Sequence, residues 1–173
     1  MSSIGTPSPS GQSAGAGWVD PARLAVQLVG DAYWDGEIPA PTEAMLAGFE
    51  AAARFALVPQ ERLSQQVQAG QCLSDPEAWF ADLTDRSRLA VERERAARQC
   101  IGCPVRGQCL ALDLITARGR VSWIHGVWGG LGPRDRKQLQ PLWGRLVARL
   151  RAQTDQTWRT RPRRARSIRK GTR

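Results

Sequence analysis

A chain of 173 residues with a net charge of +9 has room for one domain with tails, and it holds no apolar run near the roughly 18 residues that a membrane span requires. The charge is divided: residues 1–99 carry thirteen acids against eight bases, a net −5, whereas residues 100–173 carry three acids against seventeen bases, a net +14. A basic half of this kind fits a polyanionic partner, usually nucleic acid, and the chain is expected to be soluble and cytoplasmic rather than bound to a membrane.

Residues 1–17 are mostly Gly, Ser, Pro and Ala, with no charged side chain and almost no large apolar residue, a composition that cannot repay the entropy of ordering, so a flexible leader is expected. The leader has neither a basic nor an apolar segment of the secretory kind, which argues against an exported, disulfide-bonded framework. Residues 18–70 read as a helical extension. Asp20-Pro21 opens a short amphipathic helix with Leu24, Val26, Leu28 and Val29 as its apolar positions and Gly30 as its end. Thr42 caps a second helix to Leu57, with Met45, Leu46, Phe49, Ala52, Ala53 and Ala56 on one face and Pro59 as the stop. A third runs over Gln60–Ala69, and Gly70 releases the chain. These elements look like a packing layer and carry no catalytic constellation.

Residues 71–140 hold the chemistry. Cys72 precedes Asp75-Pro76-Glu77, which starts a helix bearing Trp79 and Phe80. A helix over Ser87–Gln99, rich in Arg and Glu four apart, leads to Cys100-Ile101-Gly102-Cys103-Pro104-Val105-Arg106-Gly107-Gln108-Cys109. Two residues between Cys100 and Cys103 let one turn aim both sulfurs at a common point, with Gly102 allowing close approach of the backbone. Cys103 then falls at the cap of a helix from Pro104 to about Arg118, whose first amides and the Arg106 guanidinium suit a negatively charged group. Four thiols in the chain therefore read as one metal centre, joined from two segments. Spacing alone leaves zinc and an iron–sulfur cluster open. A thioredoxin-like reading of Cys100 and Cys103 lacks the strand it would need. His125, the only histidine, reads as a loop residue beside the ligands. Gly126-Val127-Trp128-Gly129-Gly130 reads as a turn of positive φ that either presents Trp128 or folds it inward.

After Pro133 a helix through Leu139 is expected to break or restart at Pro141. Residues 141–157 form a basic amphipathic helix, with Leu142, Leu146, Val147 and Leu150 in one stripe. Residues 158–173 form a disordered tail in which Arg159, Arg161, Arg163, Arg164, Arg166, Arg169 and Lys170 neutralise DNA phosphates.

The lone cysteine before Asp-Pro-Glu and paired aromatics, the Cys-x2-Cys-Pro-Val-Arg-x2-Cys-Leu run and Gly-Val-Trp-Gly-Gly together resemble the WhiB-like transcription regulators of actinobacteria and their phages, over roughly Cys72 to Leu139. The resemblance implies an all-α fold, a small bundle of short helices wrapped around a four-iron four-sulfur (4Fe-4S) cluster ligated by Cys72, Cys100, Cys103 and Cys109. It also implies docking onto the C-terminal domain of the primary sigma factor of RNA polymerase through Trp79, Phe80 and Trp128. Several relatives are thought to respond to nitric oxide or oxygen at the cluster. Two other functions are open to the same residues: a disulfide reductase using Cys100 and Cys103 in a cluster-free form, and a zinc module that binds nucleic acid. The expectation is a regulator and not an enzyme.

Overall fold

The first helix, α1 (Pro21–Trp34), starts where a short acid meets a proline: the Asp20 carboxylate accepts from the Ala22 amide at 3.0 Å, and Pro21 fills a position that needs no amide. It does not stop at Gly30. Gly36, at φ +73°, ends it instead, with the Gly36 amide donating to the Tyr33 carbonyl at 3.1 Å and the Glu37 amide to that of Ala32 at 2.9 Å. Gly30 stays helical because Leu28, Val29 and Ala32 around it are buried, and their packing outweighs its poor propensity.

The computed structural model describes residues 18–70, 91, 94, 98, 100–118, 120, 122, 124 and 126–160. The expected leader 1–17, Cys72, the helix start at Asp75, Trp79, Phe80, most of the helix over Ser87–Gln99, His125 and the tail from Arg161 to Lys170 lie outside the described residues.

Helix α2 (Glu43–Ala53) begins at Thr42, whose Oγ1 accepts from the Met45 amide at 3.1 Å. Turns carry the chain from Arg54 to Pro59, which caps α3 (Gln60–Val67). Helix α4 (Arg106–Thr116) follows the cysteine run, and α5 (Pro133–Thr160) is the longest element. The described residues form five helices and no strand, so the fold is all-α. None of these helices is long and apolar enough to cross a membrane.

Helix α5 passes through Pro141 without the expected break, and it continues to Thr160, past the point where the sequence places the start of the tail. A proline inside a helix removes one hydrogen bond and costs about 3 kcal/mol. Here Leu139 and Leu142, Trp143 and Leu146 are buried on both sides of it, so the two halves are held by the same core. Pro141 itself is exposed.

One hydrophobic core joins all five helices. It includes Leu28 from α1, Phe49 from α2, Leu63 from α3, Leu110 and Leu114 from α4, and Leu146 from α5. Phe49 and Trp143 meet edge to face with ring centroids 6.2 Å apart. Helices α2 and α4 approach closely at Gly107, where a Cβ would lie 2.8 Å from the Ala51 carbonyl oxygen and 3.0 Å from a Phe55 ring carbon. That contact seats the start of α4, and with it the cysteine run, against the N-terminal layer.

Candidate metal centre

Three of the four cysteines sit in a short stretch of backbone. The Cys103 amide donates to the Cys100 carbonyl at 3.2 Å, closing Cys100-Ile101-Gly102-Cys103 into one turn. The Arg106 amide donates to the Cys103 carbonyl at 3.3 Å, and the Cys109 amide to that of Val105 at 2.9 Å. Cys103 therefore lies in the turn before α4, and Cys109 in its first turn. The helix starts two residues later than expected: Val105, not Cys103, occupies the cap position, and no side chain caps the helix. Cys100 is buried, while Cys103 and Cys109 are half-buried. Ile101 and Gly102 are exposed. A Cβ at Gly102 would meet none of the described residues within 4 Å, so the backbone there is open on that side.

The glycine turn packs onto this run. Trp128 and Leu131 exchange two backbone hydrogen bonds, of 3.1 and 3.0 Å, around Gly129 and Gly130, whose φ values are +57° and +80°. A two-residue connection with both φ positive is one that glycine adopts without strain. At Gly129 space adds to conformation, because a Cβ there would be 2.7 Å from the Leu110 Cβ and 2.9 Å from the Arg106 carbonyl oxygen. A Cβ at Gly130 would lie 3.3 Å from both the Cys100 Cβ and the Arg106 Nη2. Arg106 does not simply aim its charge at the sulfurs: its Nε donates to the Gly129 carbonyl at 2.9 Å. The guanidinium, the turn and Cys100 thus share one small region. Trp128 is half-buried at the edge of it.

A second tie, almost silent in the sequence, holds the same turn from the other side. Arg136 near the start of α5 has no exposed surface, pairs with the Asp113 carboxylate of α4 at 2.5 Å, and donates from Nη2 to the Gly126 carbonyl at 2.7 Å. Burial pushes the Asp113 carboxyl above its ordinary value of 3.8, and the charge of Arg136 pulls it part of the way back. The only hint in the sequence is Asp113 itself, one acid inside the apolar run from Leu110 to Ile115.

The donor chemistry of the run suits a soft metal or an iron–sulfur group, being all thiol, and the backbone beside Cys100 is glycine where a larger residue would intrude. Among the described residues, no three His, Cys, Asp or Glu side chains draw together as a metal-holding group by themselves. A fourth ligand from Cys72 would come from a segment outside them. Of the residues expected to touch DNA, Arg159 is exposed in the last turn of α5.

Comparison with known proteins adds the family. The family model for the transcription factor WhiB matches residues 66–139. The chain is 38% identical over 74 residues to the probable transcriptional regulator WhiB7 of Mycobacterium tuberculosis, covering 42% of this chain and 68% of that one. It is 31% identical over 80 residues to the transcriptional regulator WhiB of Streptomyces coelicolor, covering 46% and 79% of the two chains. It is likewise 31% identical over 105 residues to the transcriptional regulator WhiB2 of Mycobacterium tuberculosis, covering 60% and 92%. No solved structure matches. The cysteine run and the glycine turn that packs on it both fall inside the matched residues, and the chain belongs to the WhiB family of transcription factors.

Proposed function

We propose that this transcription regulator holds a 4Fe-4S cluster on Cys72, Cys100, Cys103 and Cys109, and that it acts by docking onto the primary sigma factor next to promoter DNA. The observation that carries the reading is the contact between the cysteine run and the Trp128 turn, made through Gly130 against Cys100 and through Arg106 to Gly129. A group held by the thiols would lie beside the turn that presents the indole, so its gain or loss would be felt at the docking surface. When bound, such a cluster supplies one-electron chemistry and reactivity toward small oxidants. Cys72 would also bring in a separate segment, so loss of the group would release Trp79 and Phe80 from the site.

Trp128, with Trp79 and Phe80, is the proposed contact for the C-terminal domain of the sigma factor, since rigid aromatic anchors commonly carry binding energy. The residues from Arg159 to Lys170 supply the proposed phosphate contacts. The protein is expected to work in the cytoplasm, where polymerase and DNA are found.

Iron and acid-labile sulfide analysis after anaerobic purification tests the cofactor. About four of each per chain is the expected result for a cluster of this type. One zinc with no sulfide would replace the reading with a zinc module, and insulin reduction that persists without metal but fails in Cys103→Ser would replace it with a thiol enzyme. In parallel, Trp128→Ala should abolish capture of the sigma domain while the cluster's visible absorption is retained.

A further inference from the structure

The hydrophobic core is made largely by residues that the family model does not match. Among the described residues it holds twenty-two buried side chains. Twelve of them lie in residues 18–65, before the matched stretch 66–139, and five lie after it, in α5 from Leu142 to Leu150. Only Leu110, Ala111, Leu114, Leu131 and Leu139 come from within that stretch. None of the three described cysteines belongs to this core.

The helices also hold one another directly. Helix α2 packs on α1, α4 and α5, α3 packs on α4, and α1 packs on α5. Helix α4 is seated by Leu110, Ala111 and Leu114 and by Gly107 against Ala51, whereas Cys103 and Cys109 are only half-buried. Helix α5 is fixed by Leu142, Leu146 and Leu150 and by the pairing of Arg145 with Glu37, just beyond α1. The Trp128 turn has protein ties of its own: Leu131 in the core, Arg106 on the Gly129 carbonyl and Arg136 on the Gly126 carbonyl. Residues 18–67 and 100–160 together exceed one hundred residues. A domain usually needs a metal or disulfides only below roughly 40. In a small metal domain the ligands lie at the centre of the fold, so that binding and folding are one event. Here the described thiols lie beside a core built from other residues.

We infer that the cluster is a switch mounted on a scaffold that folds without it. Its loss is a local change, confined to the segment that Cys72 carries and to the cysteine run, and the cluster-free chain stays folded with α5, which leads into the basic tail, still seated. The inference rests on the reading above for the identity of the group and adds what its loss does. Of the proposed sigma-factor contacts, loss takes away Trp79 and Phe80, which Cys72 brings in, and leaves Trp128 on its three ties. A regulator built in this way can be reloaded without refolding. A group bound to an already folded chain raises stability as any ligand does, so the loaded chain should melt higher while the stripped chain keeps a cooperative transition of its own.

The experiment compares the full chain in three forms: loaded under anaerobic conditions; stripped with ferricyanide and a chelator, then reduced with dithiothreitol; and carrying Cys103→Ser with Cys109→Ser, with iron analysis to verify that the last two are empty. Urea unfolding followed by tryptophan fluorescence and by far-ultraviolet circular dichroism should give coincident cooperative transitions in all three. The slope in the empty forms should be at least about three quarters of that in the loaded chain, because the slope follows the surface exposed on unfolding. Amides of Leu28, Phe49 and Leu146 should stay protected from hydrogen exchange in the empty forms, with any loss of protection confined to residues 71–109. Stripping the parent gives the comparison even where the double variant precipitates. A stripped chain with no cooperative transition, or one in which α1, α2 and α5 lose protection together with the cysteine run, would overturn the inference and make the cluster the staple of the fold. A chain that carries neither iron nor sulfide after anaerobic purification and still unfolds cooperatively would sink the cofactor reading instead and support the scaffold.

Discussion

Arg106 reaches across 23 residues to donate from Nε to the Gly129 carbonyl at 2.9 Å, and so fastens the first turn of α4 to the loop that carries Trp128. The same side chain sets its Nη2 beside Gly130, next to Cys100. A net contribution of about 1 kcal/mol is typical of such a bond, enough to decide whether a two-residue turn stays closed. Arg106→Ala should therefore loosen the turn without unfolding the bundle. Amide hydrogen exchange is the measurement: the Leu131 amide, which donates to Trp128, should exchange about tenfold faster in the variant, while amides of α2 remain protected.

Gly107 is a position where the backbone of α4 lies against the backbone of α2, at Ala51. An added methyl would sit 2.8 Å from the Ala51 carbonyl oxygen, which cannot move without disturbing α2. Gly107→Ala is expected to lower stability by about 1–3 kcal/mol, the usual cost of overpacking, despite the better helix propensity of alanine. Gly102→Ala is the matched control, since its Cβ would meet open space, and it should shift the urea midpoint little.

The difference between those two glycines shows how far the sequence could be read. Asp20, Thr42 and the apolar spacing of α2 carry local signals, and the two caps appear where those signals put them, although α2 ends at Ala53, short of the Leu57 end and Pro59 stop that the sequence suggests. The cysteine spacing and the Gly129-Gly130 pair likewise have local causes, in turn geometry and positive φ. What could not be read depends on partners distant in the chain. Gly30 and Pro141 look like stops, yet each is carried through by burial of its neighbours against other helices. Gly102 and Gly107 are indistinguishable in sequence; only the neighbour at Ala51 makes one of them necessary. Arg136 sits in a run of charges at a helix start and gives no sign that it will be wholly buried on Asp113, 23 residues earlier.

The pair of Asp113 and Arg136 makes an asymmetric prediction. Removing the cation leaves a buried carboxyl and the Gly126 carbonyl without their donor, so Arg136→Met should cost about 3–5 kcal/mol. Asp113→Asn should cost less, because burial already drives that carboxyl toward its neutral form. The direction of the pH effect is set by the same burial. With the folded value raised above 3.8, the native state holds the proton more tightly than the unfolded state, so the contribution of Asp113 is full below 3.8 and is lost as pH rises through the raised value. Denaturant unfolding of the parent and of Asp113→Asn, from pH 4 to pH 7, checks this: the stability of the parent relative to the variant should fall with rising pH and then level off.

The basic C-terminus yields a prediction in which length of helix matters. Because α5 extends through Thr160, a chain cut after that residue keeps the helix whole and loses only residues 161–173. Seven cations go with them: Arg161, Arg163, Arg164, Arg166, Arg169, Lys170 and Arg173. Each phosphate neutralised contributes about 0.9 to the slope of log affinity against log salt, so the shortened chain should lose up to about six from that slope. The loss should be similar for duplexes of unrelated sequence, since contacts to phosphate carry no base information. Filter binding of duplex DNA at 50 to 200 mM salt measures it. An unchanged slope would remove the tail from the DNA contact and leave Arg159 and the exposed cations of α5 to account for any binding that remains.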